Sequence, residues 1–170
     1  NCSENKLIDS YYDLLASEAR QTSIIAIAKK DVPRKHWTCL GRTLTTVKGY
    51  KGLISWGGTA FEYLMPNLII PTFESSLLDE SCRLLEYARK LGVPWGISES
   101  AFNLKDFYGN YQYKTFGIPW LGLKRGLENE VVISPYSVAI SYKYDPNGII
   151  SNFNKLQDEG ARGKYRLYSK

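Results

Sequence analysis

Ser75-Ser76-Leu77-Leu78-Asp79-Glu80-Ser81-Cys82-Arg83-Leu84-Leu85-Glu86-Tyr87-Ala88-Arg89-Lys90-Leu91 reads as a helix and sets the fold class. Leu77, Leu78, Cys82, Leu85, Ala88 and Leu91 recur at three- and four-residue steps, so they form one apolar stripe. Ser76-x-x-Asp79 at its head predicts a capping box, and Gly92 with Pro94 stops it. Upstream, Leu7, Tyr11, Leu14, Leu15, Ala19, Ile24, Ile27 and Ala28 keep the same steps without Gly or Pro, which predicts a helix over Lys6 to Lys30. A short helix is expected over Arg34 to Leu40, stopped by Gly41.

Thr43 to Ser55 is rich in Thr, Val and Ile and is split by Gly49-Tyr50-Lys51-Gly52, which suggests a hairpin or extended loop. Gly57-Gly58 breaks the pattern, and Thr59 can cap a short helix through Leu64 that Pro66 ends. From Val93 to Gly122, Trp95, Phe102, Phe107, Tyr108, Tyr111, Tyr113, Phe116 and Trp120 lie among Gly, Asn and Ser without a steady period. That is a long, ordered aromatic loop with room for one short hairpin. Pro135 opens a helix toward Tyr144, Asp145-Pro146-Asn147-Gly148 turns, and a last helix runs from Ile149 to Glu159 before Gly160. The expected class is mainly α with long aromatic loops and little strand, as one unit over 1–170 without an internal linker or repeat.

Composition narrows the chemistry. The 170 residues suffice for one domain with a real core, and 44% hydrophobic with 23% charged residues excludes a disordered tail. No apolar run reaches the ~18 residues of a membrane span, since Pro66 and Asn67 interrupt the best candidate. Residue 1 is Asn, with no signal core behind it, and the chain is read as a soluble segment of something longer. Three cysteines without C-x-x-C fit neither a disulfide framework nor a zinc ribbon and point to a reducing compartment. A single histidine, His36, leaves no multi-histidine metal site, so no metal and no cofactor are expected. The formal charge of +5 comes from dispersed Lys and Arg, which argues against a nucleic-acid partner.

Chemistry here must therefore lean on carboxylates. Glu62 lies in Ser55-Trp56-Gly57-Gly58-Thr59-Ala60-Phe61-Glu62-Tyr63-Leu64, Glu99 in Pro94-Trp95-Gly96-Ile97-Ser98-Glu99-Ser100-Ala101-Phe102, and Glu18 on the apolar Leu14 to Arg20 stretch. Acids beside rings and bare backbone suit sugar chemistry. Rings stack on the apolar faces of pyranoses, and a desolvated carboxylic acid keeps a proton to donate to a glycosidic oxygen. The plainer alternatives stay open: Glu62 can pair with a buried arginine, Glu18 with Arg20, and the tryptophans can be core. Asp79 and Glu80 read as first-turn acids placed by the helix dipole.

Several long motifs carry a resemblance. Tyr12-Asp13-Leu14-Leu15-Ala16-Ser17-Glu18-Ala19-Arg20, Ile25-Ala26-Ile27-Ala28-Lys29-Lys30-Asp31-Val32-Pro33, Ser55 to Pro66, Ser76-Leu77-Leu78-Asp79-Glu80 and Gly92 to Ser100 resemble the glucoamylase-like (cyclisation) domain of bacterial cyclic β-1,2-glucan synthases. Tyr111-Gln112-Tyr113, Gly122 to Leu127 and Val132 to Tyr136 continue it in one order. The resemblance implies part of a twelve-helix (α/α) toroid acting on β-1,2-glucan, by hydrolysis or by ring-closing transglycosylation. It implies Glu99 as acid/base, Glu18 as nucleophile or partner and Glu62 as the alternative, with Trp56, Tyr63, Trp95, Tyr111 and Tyr113 as sugar-facing rings. It further implies a parent synthase with other domains, at the cytoplasmic face of the bacterial inner membrane.

Twelve helices of about 11–12 residues with connections need about 190 residues, so this chain is expected to be a partial toroid whose open face a homodimer could close. The competing function is a non-catalytic glucan-binding or scaffold segment.

Overall fold

A computed structural model describes residues 4–6, 11–47, 49–84, 96, 98–114, 116–124, 126, 132–164 and 167. In chain order these form α1 (Ala19–Ala28), α2 (His36–Cys39), β1 (Leu44–Val47), β2 (Tyr50–Leu53), α3 (Ala60–Leu64) and α4 (Leu77–Leu84). They continue with β3 (Ser100–Lys105), β4 (Tyr111–Lys114), α5 (Pro135–Ile140) and α6 (Gly148–Asp158). Single 3-10 turns follow α3 (Met65–Leu68) and α5 (Ser141–Lys143). Helices outweigh strands, in keeping with the expected class. The strands make two separate antiparallel hairpins, β1 with β2 and β3 with β4. None of the described helices is long and apolar enough to cross a membrane.

The largest departure from the expected elements is at the start. Against the helical period expected over Lys6 to Lys30, the described residues from 11 onward are helical only from Ala19, because a tertiary pairing captures the chain at Asp13 to Leu15; residues 7–10 lie outside the described residues. The Gly41 amide donates to the Asp13 carbonyl at 2.7 Å, and the Leu15 amide donates to the Gly41 carbonyl at 2.9 Å. The Ser17 hydroxyl takes the Leu14 carbonyl at 2.5 Å, which removes an acceptor that a continuing helix would use. At the other end, Lys30 adopts the left-handed conformation (φ 66°) and the Asp31 amide returns to the Ala26 carbonyl, closing the last turn.

The other expected elements form near their anticipated places. Ser76 accepts from the Asp79 amide at 3.2 Å, so it caps α4 as its spacing suggests. The Asp79 carboxylate reaches back to the Ser75 amide at 3.3 Å. The second half of that expected helix, 85–91, lies outside the described residues. Within the aromatic stretch, β3 and β4 pair from Ser100↔Lys114 to Lys105↔Tyr111 with an irregularity between Phe102 and Lys105.

Two packed regions hold these elements. Leu15, Ala19, Leu40, Leu53, Tyr63, Leu64, Cys82, Ile118 and Leu121 form one, and Phe116, Val132, Ile133, Val138, Leu156 and Ala161 the other. The first is stitched by glycine. A side-chain carbon on Gly117 would lie 1.7 Å from the Gly57 carbonyl oxygen, and one on Gly122 would lie 2.8 Å from it. The two backbones therefore touch, and Ser55, Ile118, Leu123 and Lys124 bridge them with amide-to-carbonyl bonds. Gly57-Gly58 serves this close approach.

Arg20, almost wholly buried, ties α1 to the end of α3. It donates to the carbonyls of Ser17 and Glu62 at 3.0 Å each, to that of Tyr63 at 2.5 Å, and to Asn67 Oδ1 at 3.1 Å. The arginine thus satisfies helix-end carbonyls. In place of an ion pair with Glu62, the structure has Arg20 on the Glu62 backbone.

Candidate active site

Three stretches far apart in the chain bring Glu18, Glu62 and Glu99 to one cleft of about 490 Å³, with Tyr12, Trp56, Gly57, Leu123 and Lys124 completing its lining. Each acid arrives by a different local device.

Glu62 is the third residue of α3 and is buried. Thr59 caps the helix by accepting from the Glu62 amide at 3.2 Å, while the Glu62 carboxylate accepts from the Thr59 amide at 3.0 Å. The same carboxylate accepts from the Trp56 amide (3.0 Å), the Gly57 amide (3.0 Å), the Ser55 hydroxyl (2.9 Å) and the Thr59 hydroxyl (3.1 Å). Its oxygens are thereby occupied. Buried carboxylates persist only when charge-compensated by such donors, and here the donors are the lead-in loop itself.

Glu18 sits immediately before α1, in helical backbone geometry, and its carboxylate accepts from the Tyr12 hydroxyl. Glu99 sits immediately before β3, half-buried, and its carboxylate accepts from the Tyr113 hydroxyl of β4. Its backbone is held as well: the Glu99 carbonyl accepts from Tyr136 at 3.1 Å and from Ser134 at 3.3 Å. Ser98 Oγ lies 2.8 Å from the Tyr136 hydroxyl and accepts from the Phe61 amide at 3.2 Å, which fastens this strand end to α3.

Desolvation acts on the Glu99 carboxyl and on the tyrosines around the cleft. Burial raises the Glu99 carboxyl above its ordinary value; the Tyr113 hydrogen bond opposes the rise, and the charges of Glu18 and Glu62 add to it. Burial, the Glu18 hydrogen bond and the surrounding carboxylates push the Tyr12 hydroxyl far up, so it stays a donor. The same kinds of cause raise Tyr113.

The expected rings divide. Tyr113 reaches Glu99, and Tyr111, two residues away on the exposed side of β4, lies with its ring 4.9 Å from Lys105 Nζ. Trp56 lines the cleft but stacks on Tyr12, with ring centroids 5.7 Å apart and planes 16° apart. Tyr63 is a correction: it is wholly buried, its hydroxyl 2.6 Å from the Leu53 carbonyl and 3.1 Å from that of Leu121, so its ring belongs to the core. The reason is α3's orientation, since presenting Glu62 to the loop turns the next residue inward. Trp95 lies outside the described residues. Tyr12 was the residue that sequence reasoning missed. Six positions before Glu18, it lies on a different face of any helix, and the pair meets only because 12–18 is not helical.

Comparison with known proteins establishes the kinship of the chain. A protein-family model described as "Putative glucoamylase" matches residues 10–169. Over 166 residues the chain is 46% identical to the cyclic beta-(1,2)-glucan synthase NdvB of Rhizobium meliloti (strain 1021). That match covers 95% of this chain and 6% of the synthase, so the chain spans a small part of its relative's length. A family match across nearly the whole chain, together with this identity, means that the chain belongs to the glucoamylase-like family that includes a segment of a cyclic β-1,2-glucan synthase.

Proposed function

We propose that this chain is the acid-bearing segment of a glucan-processing enzyme that acts on β-1,2-linked glucose chains, with Glu99 as general acid and Glu18 as its partner. One observation carries the reading: Glu99, raised toward its protonated form, shares a ring-lined cleft with Glu18. Acid catalysis of glycosyl transfer needs a carboxyl that holds its proton near neutrality and a second carboxylate that meets the developing cation. Glu62 is the structural acid of the trio in this reading, because its oxygens are taken. The named activity of the synthase relative supports β-1,2-glucan as substrate and transglycosylation or hydrolysis as the reaction.

The same reading takes the chain as part of an (α/α) toroid completed by further segments of a larger protein. Exposed Leu68, Ile69 and Phe73 support it, Phe73 being 86% exposed, since side chains of this kind are normally covered. A non-catalytic glucan-binding role is the second reading, favoured by the exposed rings of Phe107, Tyr108 and Tyr111 on the β3–β4 hairpin. Incubating the full-length protein with linear β-1,2-glucan separates the two. Turnover changes chain length, releases reducing ends or yields rings, whereas a binder returns the glucan unaltered.

Tyr113→Phe supplies a pH test. Removing the hydrogen bond that opposes the rise leaves burial and neighbouring charge unbalanced, so the Glu99 carboxyl moves further up. A general acid works while protonated, so activity falls as pH rises through its pKa. The alkaline limb of kcat against pH is therefore expected at higher pH in Tyr113→Phe than in the parent. A limb that stays in place or moves down defeats the assignment of Glu99 as the acid.

A further inference from the structure

Two half-buried acids line the cleft, and each ends on a tyrosine hydroxyl: Glu99 on Tyr113 and Glu18 on Tyr12. The two tyrosines are supported differently. Tyr113 stands on a paired strand, whereas Tyr12 precedes α1 outside any helix or strand, and its ring lies flat on the Trp56 indole. Trp56 in turn is fixed through its backbone. Its amide donates to Glu62 at 3.0 Å, and its carbonyl accepts from the Lys124 amide at 2.9 Å. The chain of support runs from the buried Glu62, through Trp56 and Tyr12, to the Glu18 carboxylate.

We propose that Tyr12 is a positioning residue for Glu18 and, with the half of its surface that remains open, the platform on which a glucosyl ring of the substrate stacks. The inference deepens the function proposed above and rests on it.

A glutamate carboxylate at a cleft wall has three side-chain torsions to restrain, and leaving them free costs reactive geometry. One hydroxyl held by a stacked ring supplies that restraint. The stacking claim follows from which faces are covered. Trp56 gives one face to Tyr12, so on that side the ring met by an incoming sugar is that of Tyr12, which is 53% exposed. Flat apolar faces of pyranoses pack on such rings. Tyr12 thus takes the place that the sequence reserves for Trp56.

Two variants in the full-length protein separate the two roles. Tyr12→Phe keeps the ring and removes the hydroxyl; kcat on linear β-1,2-glucan is expected to fall about tenfold with KM within about twofold of the parent. Tyr12→Leu removes both, so the same loss of kcat is expected with KM raised about tenfold. Calorimetric titration with glucan in a Glu99→Gln background reads the platform without turnover: affinity drops about tenfold with Tyr12→Leu added and is unchanged with Tyr12→Phe added. Parent-like kcat in Tyr12→Phe overturns the positioning role, and parent-like affinity in Tyr12→Leu overturns the platform. Should Tyr12→Leu fail to fold, Tyr12→Trp, which keeps a broad ring, decides the platform by retained affinity and overturns it by a tenfold loss. Persistent turnover in Glu99→Gln alone is a different failure, since it defeats the acid assignment and leaves the Tyr12 affinity result standing.

Discussion

Glutamine in place of Glu99 is expected to lower glucan turnover at least about 10³-fold while leaving glucan affinity within about threefold of the parent. The substitution keeps size and hydrogen-bonding capacity, so the Tyr113 contact and the held backbone of 98–99 survive. What disappears is the transferable proton. General acid catalysis supplies about 10²–10⁴ in rate, and a 10³ loss corresponds to about 4 kcal/mol of transition-state stabilisation. Leaving-group chemistry makes the prediction specific. An aryl β-glucoside whose phenol needs no protonation should lose much less activity than glucan, because the missing acid acts on the departing oxygen. Steady-state rates on both substrates, with calorimetric affinity, check it. Equal losses on both substrates would assign Glu99 a role other than protonating the leaving group, and unchanged glucan turnover would remove it from the chemistry.

Glu62→Ala is expected to strike the fold first. The substitution strips the acceptor from three amides, those of Trp56, Gly57 and Thr59, and from the Ser55 and Thr59 hydroxyls. Orphaning a buried charged network of this kind costs about 3–4 kcal/mol. The loss is local in origin, because the loop 55–59 also carries the glycine contact with 117–122. Hydrogen exchange of the full-length protein reads it directly. The amides of 56, 57 and 59 should exchange about 10²–10³-fold faster, the kinetic equivalent of that free energy at 1.36 kcal/mol per decade. Turnover should fall as a consequence, since Trp56 supports Tyr12. Unchanged protection with lost turnover would instead make Glu62 a participant in the reaction and would revive it as the alternative acid.

These two acids show how far residues alone carry the argument. Glu62 and Glu99 have similar surroundings in the sequence, each among rings, serines and glycine. One local signal sets Glu62 apart. The Thr59-x-x-Glu62 spacing is itself a capping-box signature, so the structural role of Glu62 was readable locally once Thr59 was taken as the cap. No local rule points to Tyr113 as the partner of Glu99, because the contact depends on the return of β4 alongside β3. Nor does one point to Tyr12. The helical period from Leu7 to Ala28 hid it, since local periodicity records only that apolar side chains need burial, and Leu14 and Leu15 are buried without a helix where Asp13 and Leu15 pair with Gly41.

What the sequence by itself determined are features governed by neighbours a few residues apart, namely α4 as far as Leu84 with its Ser76 cap, the Thr59 helix start and the turn before α6, and, through its longer motifs, the family. Tertiary structure decided what depends on distant backbone closing on backbone. It started α1 at Ala19, turned Tyr63 into the core, sent Arg20 to carbonyls, and gathered three acids into one cleft. The physical reason lies in range. Capping and periodicity act within one or two turns of chain, whereas the desolvation that raises Glu99 and the donors that satisfy Glu62 exist only after segments tens of residues apart have excluded water together.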